Sequence, residues 1–288
     1  MQAKEYILSK QIQWALNRGI SLVGSKGQRG RHAYTSNLDQ NLFEPLILEV
    51  SKCFECGDGG EIKGNQDCPA KMQAVHSSSA IGVNVFQYWH KISQVPVIAA
   101  ACGFCKKGNT TSQKIVFEDK YAIDEKRFWH APNIDVVIHN SDSIKVKRFA
   151  VECKFTEAYS SRGHSGLRPE YLNLDVWYGI DRLYDFSKEI SPDDSKYKHL
   201  HPAQLIKHIL GLKNKFGKDG FKLLYLWYDI LGEEGIVHQK EIGEFMKVTK
   251  ADGIKFHALS YQDLIVTLAT EHRSTHPKYI KYLTERYL

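Results

Sequence analysis

The stretch PNIDVVIHNSDSIKVKRFAVECKFTE, residues 132–157, decides the fold of this chain. Two short apolar runs, 134–138 and 149–155, lie on either side of a polar turn at 140–143. Short apolar runs separated by a polar turn are typical of two strands of an antiparallel hairpin. We therefore predict a hairpin at the centre of a β-sheet.

Charged residues interrupt both runs where a buried strand should be apolar. Asp135 interrupts the first run, and Glu152 and Lys154 interrupt the second. Because side chains alternate between the faces of a strand, Glu152 and Lys154 point the same way, with Cys153 opposite. If the runs pair, Asp135 lies close to Glu152, so that two carboxylates and one ammonium converge.

This combination of charges predicts metal-assisted hydrolysis of a phosphodiester. Two neighbouring carboxylates are costly without a cation between them. Mg²⁺, with Mn²⁺ as a substitute, binds a few carboxylate oxygens and keeps room for water and phosphate. Lys154 is placed to orient the attacking water or to offset charge on the phosphate. The alternative is a buried ion pair of Lys154 with Glu152 or Asp135.

Length and composition are those of an ordinary soluble globular protein. The 288 residues are 42% hydrophobic and 25% charged, with a net charge of +6 that favours polyanionic partners only mildly. No apolar run is long enough to span a membrane, and the amino terminus lacks the pattern of a signal peptide. We therefore predict a cytoplasmic protein with no membrane contact.

Six cysteines in a chain without a secretory signal indicate reduced thiols. Four of them form two pairs with Cys-x-x-Cys spacing, Cys53 with Cys56 and Cys102 with Cys105. This spacing suits a structural Zn²⁺ site. The alternative is that several are small buried apolar residues.

The order of predicted elements is that of a mixed α/β sheet flanked by helices. From about residue 77 the patterns read helix, three strands, helix, strand, helix, strand, helix. We predict an N-terminal helical and loop extension over 1–76, with a possible cysteine-rich element as part of it. The core then covers 77–288 and carries an inserted lobe at about 158–200.

Two segments combine basic residues with glycine or aromatic residues, a composition suited to phosphate contacts and base stacking. One is the glycine-rich stretch 24–37, and the other is the insertion. Solvated surface loops are an equally good interpretation of both. The candidate DNA-binding residues are Lys26, Arg29, Arg31, Arg162, His164 and Arg168.

Pro132-Asn133-Ile134-Asp135, followed by Glu152-Cys153-Lys154, resembles the PD-(D/E)xK motif of the restriction-endonuclease-like nuclease superfamily. The Asp stands three residues after Pro132 instead of directly after it, which departs from the usual motif. The resemblance covers roughly residues 77–228. It implies a restriction-endonuclease-like core, with Asp135 and Glu152 as metal ligands and Lys154 as the catalytic lysine.

The resemblance also adds four candidate site residues. Glu118 stands where some members carry an additional metal-binding acid, and Gln204 where some carry an auxiliary glutamine. The chain also resembles restriction endonucleases of type II-like character in the stretches 57–61 and 71–79, as well as 132–157. In that comparison Glu61 and Glu157 become secondary site residues.

Three functions remain open from the sequence. The first is a Mg²⁺-dependent endonuclease acting on double-stranded DNA in restriction or defence, simplest as a homodimer because each chain carries one site. The second is a repair, recombination or mobile-element nuclease of the same fold. The third is a non-catalytic DNA-binding module, against which the intact set of Asp135, Glu152 and Lys154 argues.

Overall fold

A computed structural model describes residues 2–24, 32–57, 59–65, 68–160 and 163–288. Its strands are β1 (Leu22–Val23), β2 (Tyr34–Thr35), β3 (Ser112–Lys120), β4 (Asn133–Asn140), β5 (Arg148–Lys154), β6 (His164–Ser165), β7 (Asp193–Asp194), β8 (Phe221–Trp227) and β9 (Phe256–Ser260). Its α-helices are α1 (Ala3–Asn17), α2 (Leu48–Cys56), α3 (Ser78–Lys91), α4 (Val95–Ala101), α5 (Pro169–Leu172), α6 (Asp181–Glu189), α7 (Pro202–Phe216), α8 (Glu233–Ala251), α9 (Tyr261–His272) and α10 (Pro277–Tyr287).

The centre of the fold is a mixed sheet of five strands in the order β3-β4-β5-β8-β9. The first three form an antiparallel meander, whereas β8 pairs parallel to β5 and β9 pairs parallel to β8. Helices α7 and α8 make the two crossovers that parallel pairing requires. The predicted α/β class and the predicted central hairpin are both confirmed.

The two faces of the sheet are covered by different helices. On one face α3 packs closely, since a Cβ atom on Gly82 would lie 3.6 Å from the Sγ of Cys153. Side chains alternate along β5, so its neighbours Glu152 and Lys154 point to the other face. There they meet side chains of α7, which gives the site its helical wall.

Most predicted elements of the core are present, and the differences are local. The apolar run after Gln94 is the helix α4, with a proline in its first turn, where the missing N–H costs nothing. The insertion at 158–200 contains α5, α6 and the small β6–β7 pair. Among the described residues, none of the helices is long and apolar enough to cross a membrane. The proposed domain boundary at 76/77 stays a prediction.

The last helix, which the sequence analysis did not identify, fastens the N-terminal segment to the core. Arg286 of α10 is 1% exposed, and its guanidinium lies 4.0 Å from the ring centre of Trp14 in α1. Its five N–H groups donate to neutral oxygens of Gln11, Asn41, Val75 and Tyr282. Because Asn41 and Val75 precede the core in the chain, this network joins both ends of the protein.

We predict that Arg286→Met destabilises the fold by at least about 3 kcal/mol, because several buried acceptors lose their donors at once and each costs roughly 1–3 kcal/mol. Denaturant unfolding followed by circular dichroism measures the loss. The matched control is Arg18→Met, whose ion pair with Glu285 on the same helix is solvent-exposed, 2.9 Å long and expected to contribute less than about 1 kcal/mol. Equal losses in the two variants would contradict the proposed role of Arg286.

Candidate active site

Three carboxylates lie in one row across the antiparallel strands. The β4–β5 register pairs Val136 with Val151, which sets Asp135 opposite Glu152 one residue further along. The β3–β4 register pairs Phe117 with Val136 and Asp119 with Ile134, which sets Glu118 opposite Asp135. Residues opposite each other in a sheet share a face. The row therefore brings Glu118, Asp135 and Glu152 together, as the sequence predicted.

Glu152 lies at the centre of the charge network, with its side chain 1% exposed. Its Oε1 lies 2.6 Å from Nζ of Lys154, and its Oε2 lies 2.8 Å from Nε2 of His208. Burial opposes ionisation of Glu152, but Lys154 and His208 outweigh it and hold the pKa of this carboxyl below its usual value. Glu152 is therefore a carboxylate, and the Glu152–Lys154 ion pair considered from the sequence does form.

Helix α7 supplies two of the groups that fix this network. Gln204, in its first turn, accepts a hydrogen bond from Nζ of Lys154 at 2.9 Å through its Oε1. His208 stands one turn later on the same helix face, because residues four apart lie above one another. The helix thus positions the lysine with one side chain and Glu152 with the next.

Asp135 differs from Glu152 in its partners. Its hydrogen-bond donor is a backbone group, whereas Glu152 contacts the side chains of Lys154 and His208. The Oδ2 of Asp135 accepts a hydrogen bond from the backbone N–H of Cys153 at 2.7 Å. Burial raises the pKa of the Asp135 carboxyl well above its usual value, and the charge of Glu152 raises it further against the pull of Lys154. The two neighbouring carboxyls therefore differ, because the pKa of Asp135 is raised whereas that of Glu152 is lowered.

Glu118 is held in an uncommon backbone conformation, with φ at 52°. A non-glycine residue in this region is uncommon and, when present, is often found at functional sites. Its Oε2 accepts a hydrogen bond at 3.0 Å from Nδ2 of Asn133, the residue at which the chain departs from the usual motif. Burial raises the pKa of the Glu118 carboxyl to about 7, and the charges of Glu61 and Glu152 act in the same direction.

The two secondary candidates, Glu61 and Glu157, lie at opposite sides of the row. Glu61 accepts a hydrogen bond from Oγ of Ser79 at 2.9 Å and acts electrostatically on Glu118. Glu157 accepts from the N–H of Phe155 at 3.0 Å and lines a small cavity of about 180 Å³ together with Lys154. Both residues therefore lie near the row of three carboxylates without being part of it.

The donor set suits a hard divalent cation. Asp135 and Glu152 offer oxygen ligands, and the raised pKa of Asp135 reflects its burial and, after that, the repulsion from Glu152 that a cation would relieve. Among the described residues no group of three or more His, Cys, Asp and Glu side chains already surrounds a metal position. Mg²⁺ needs only one or two carboxylates besides water and substrate phosphate, so the residues present fit it.

Lys154 is a cation in this setting. Burial alone would lower its pKa, but the charges of Glu152 and Asp135 outweigh burial and raise the pKa above its usual value. A lysine with a raised pKa is poorly suited to act as a general base. It is suited to stabilising negative charge on a phosphate.

The four cysteines predicted to hold zinc do not form a group of three or more metal-binding side chains among the described residues, and the zinc site stays a prediction. All six cysteines belong to the described part of the chain, and none of them joins a metal-binding cluster. Cys53 and Cys56 lie in α2, whose end at Gly57 approaches Glu118. Cys102 is buried after α4, where its carbonyl oxygen accepts a hydrogen bond from His257 of β9 at 2.9 Å. Burial raises the pKa of the Cys102 thiol, which disfavours the thiolate that zinc needs.

The candidate DNA-binding residues divide into two groups. His164 stacks on His201 with ring centres 4.7 Å apart, and both line the cavity beside Lys154. Arg168 directly precedes α5, and its charge contributes, after burial, to lowering the pKa of Lys207 on α7. Four candidates lie outside the described residues, namely Lys26, Arg29, Arg31 and Arg162.

Comparison with known proteins agrees with this geometry. A family model described as "Restriction Endonuclease associating with ARP" matches residues 9–288, nearly the whole chain. The chain belongs to this family. No curated protein and no solved structure matches it significantly. Family membership confirms the resemblance to restriction endonucleases and extends it beyond 77–228, through the N-terminal extension and the last helix.

His208 is the site residue that the sequence analysis missed. It lies four residues after Gln204, and this spacing on a predicted helix was the available signal. In the structure both His208 and Glu152 have side chains only 1% exposed. Outer partners of this kind orient the carboxylates that bind metals.

We predict that His208→Leu lowers nuclease activity about 10- to 100-fold, because Glu152 loses the donor that fixes its second oxygen. His208→Gln keeps an N–H donor and should retain more activity than the leucine variant. Initial cleavage rates on plasmid DNA measure the effect, and circular dichroism checks that both variants fold. A folded leucine variant with wild-type rates would rule out this positioning role.

Proposed function

We propose that this protein is a Mg²⁺-dependent endonuclease that hydrolyses phosphodiester bonds of double-stranded DNA in restriction or defence. The observation that carries the proposal is the buried pair of carboxylates, Asp135 and Glu152, with the protonated Lys154 beside them. Family membership supports the nuclease class. Hydride transfer and acyl transfer need other groups, whereas this set matches phosphoryl chemistry.

The row of carboxylates and the neighbouring Lys154 have different tasks in the proposed reaction. Asp135 and Glu152 would hold the Mg²⁺, for which Mn²⁺ can substitute, and Glu118 would add a ligand from the neighbouring strand. When bound, the metal polarises the phosphate and lowers the pKa of a bound water. Lys154, aligned by Gln204, offsets the negative charge that grows on the phosphate oxygens as water attacks phosphorus and a P–O bond breaks.

The substrate and the assembly follow from the same proposal. One row per chain cuts one strand at a time, so a symmetric homodimer is the simplest way to cut both strands. Sedimentation of the purified protein with and without DNA tests the dimer.

The family description names association with ARP, and we propose that this chain acts together with such a partner.

We predict that Asp135→Asn abolishes cleavage and that Lys154→Gln lowers it about 10²- to 10³-fold, because each removes a charge used in the transition state. Both variants should keep most of the affinity for DNA. The measurement is linearisation of plasmid DNA with Mg²⁺, followed by sequencing of the ends. Asp142→Asn, in the exposed β4–β5 turn, is the matched control and should cut normally. Full activity of either site variant would refute the assignment.

A second prediction concerns salt. Binding to a DNA fragment in the presence of a chelator, which prevents cleavage, should weaken linearly on a log–log plot against salt concentration. The expected slope is roughly −0.9 for each phosphate contact. Fluorescence anisotropy at several salt concentrations gives the slope. Affinity that does not change with salt would argue against DNA as the substrate.

A further inference from the structure

Trp129 is fully exposed, at 100% of its possible surface, whereas the other four tryptophans are buried. It lies in the loop of residues 121–132, between β3 and β4. Tryptophan is a large rigid aromatic surface that usually packs in a core or an interface. The position therefore raises the question of what holds this ring in solvent and what it contacts.

The loop is fastened to the insertion immediately before Trp129, and the ring of Trp129 itself stays in solvent. Phe128, the residue before Trp129, stacks on Tyr171 of α5 with ring centres 4.2 Å apart and planes 6° apart. Arg127 donates from Nη1 to the carbonyl oxygen of Asn173 at 2.5 Å. Arg127 and Phe128 are thus both held by the insertion, whereas the next side chain, Trp129, is directed outward.

Hydrogen bonds within the loop stabilise the backbone at its start. Oδ1 of Asp124 accepts hydrogen bonds from the N–H groups of Lys126 and Arg127, at 2.9 and 3.2 Å. The N–H of Phe128 donates to the carbonyl oxygen of Asp124 at 3.0 Å. These bonds fix the backbone immediately before Trp129, so presenting the ring to a ligand costs little additional ordering.

Trp129 lies on the same edge of the sheet as the proposed site. This edge, which we call the catalytic edge, is where β3 ends, β4 begins, and β5 and β8 end. Trp129 is six residues before Asp135, so their Cα atoms are at most about 20 Å apart. Base pairs are stacked at about 3.4 Å. The ring can therefore reach bases within about six steps of the bond to be cut.

The surroundings of Trp129 favour a nucleobase over a protein surface. Its neighbours Arg127 and His130 are exposed and polar, and Lys126 is exposed as well. Protein contacts of high affinity centre on aromatic residues within a larger desolvated patch, which an isolated ring among charges does not provide. A cavity of about 370 Å³ beside the ring, lined also by Glu125 and Phe128, is open on one side of it.

We infer that Trp129 stacks on a nucleobase of the bound DNA close to the cleaved bond, an inference that rests on the proposed DNA endonuclease function. Neighbouring bases cover each other's faces in a duplex, so the ring stacks where a base step opens or where a base turns out of the stack. Such stacking tolerates any base, because every base has a π-face. Trp129 would therefore contribute to DNA affinity and position without reading sequence. Specific readout would come from other residues.

The test compares Trp129→Ala, Trp129→Phe and the wild type for binding to a double-stranded DNA fragment in the presence of a chelator. Loss of one stacked base should weaken binding of the alanine variant about 5- to 150-fold. Phenylalanine keeps a ring and should restore most of the affinity. The slope against salt should be unchanged in both variants, because no phosphate contact is removed.

Tyr178→Ala is the matched control. Tyr178 is 90% exposed, and its neighbour Gly179 accepts a hydrogen bond from Lys218, which follows the far end of α7. That place is about 20 Å along the helix from Gln204 and the catalytic edge. The Tyr178 variant should bind and cut DNA as the wild type does.

Fluorescence gives a second readout. Since the other tryptophans are buried, DNA should quench mainly the emission of Trp129, and the Trp129→Phe variant should lose this DNA-dependent change. A fluorescent base analogue placed along the fragment should respond within about six positions of the cut. Absence of both signals would overturn the stacking contact.

The outcomes separate this inference from the proposed function. If the wild type cuts DNA and Trp129→Ala binds and cuts equally well, the inference is wrong and the endonuclease stands. If Trp129→Ala keeps its DNA affinity but loses self-association, the ring serves a protein contact and the inference is again wrong. If the wild type neither binds nor cuts DNA, both the stacking inference and the proposed endonuclease function are wrong.

Discussion

Two carboxyl groups buried side by side, Asp135 and Glu152, impose the constraint on which the rest of this site depends. An uncompensated buried charge costs several kcal/mol, and two like charges in adjacent register cost more. The protein compensates one of them fully, since Glu152 meets both Lys154 and His208. Asp135 accepts a hydrogen bond from a backbone N–H, and its pKa stays raised against the pull of Lys154. Because the two carboxyls are compensated unequally, one further positive charge beside Asp135 would lower the electrostatic energy of the site.

The compensation depends on the crossover between the parallel strands β5 and β8. A parallel connection needs a helix across the sheet, and here α7 runs over the face that carries the charged row. Gln204 and His208, one turn apart, reach Lys154 and Glu152, which lie two residues apart on β5. The rise of one helical turn, about 5.4 Å, is close to the spacing of two residues along a strand. Because these two distances are similar, side chains one turn apart on a single helix can contact both Lys154 and Glu152.

The sequence was sufficient for the parts of the site that local periodicity controls. Alternation along β5 predicts the shared face of Glu152 and Lys154, and the hairpin places Asp135 beside them. The sequence was insufficient for residues whose position depends on an unusual backbone angle or on contacts between distant parts of the chain. Glu118 depends on a positive φ, and its closeness to Glu61 depends on how the N-terminal segment returns to β3. The zinc site suggested by the spacing of the cysteine pairs stays a prediction, since the cysteines of the described residues form no group of three or more metal-binding side chains.

The direction of the strands separates the charged row from the loops that surround it. The catalytic edge collects the 121–132 loop, the start of the insertion and the segment after β8, because β3, β5 and β8 all end there. The charged row itself lies in the rigid sheet, supported by α7. Loops at this edge can therefore change in length and composition while the register of Asp135 and Glu152 stays fixed. If the protein cuts DNA as proposed, the choice of DNA depends on those loops, and the bond-breaking chemistry depends on the sheet.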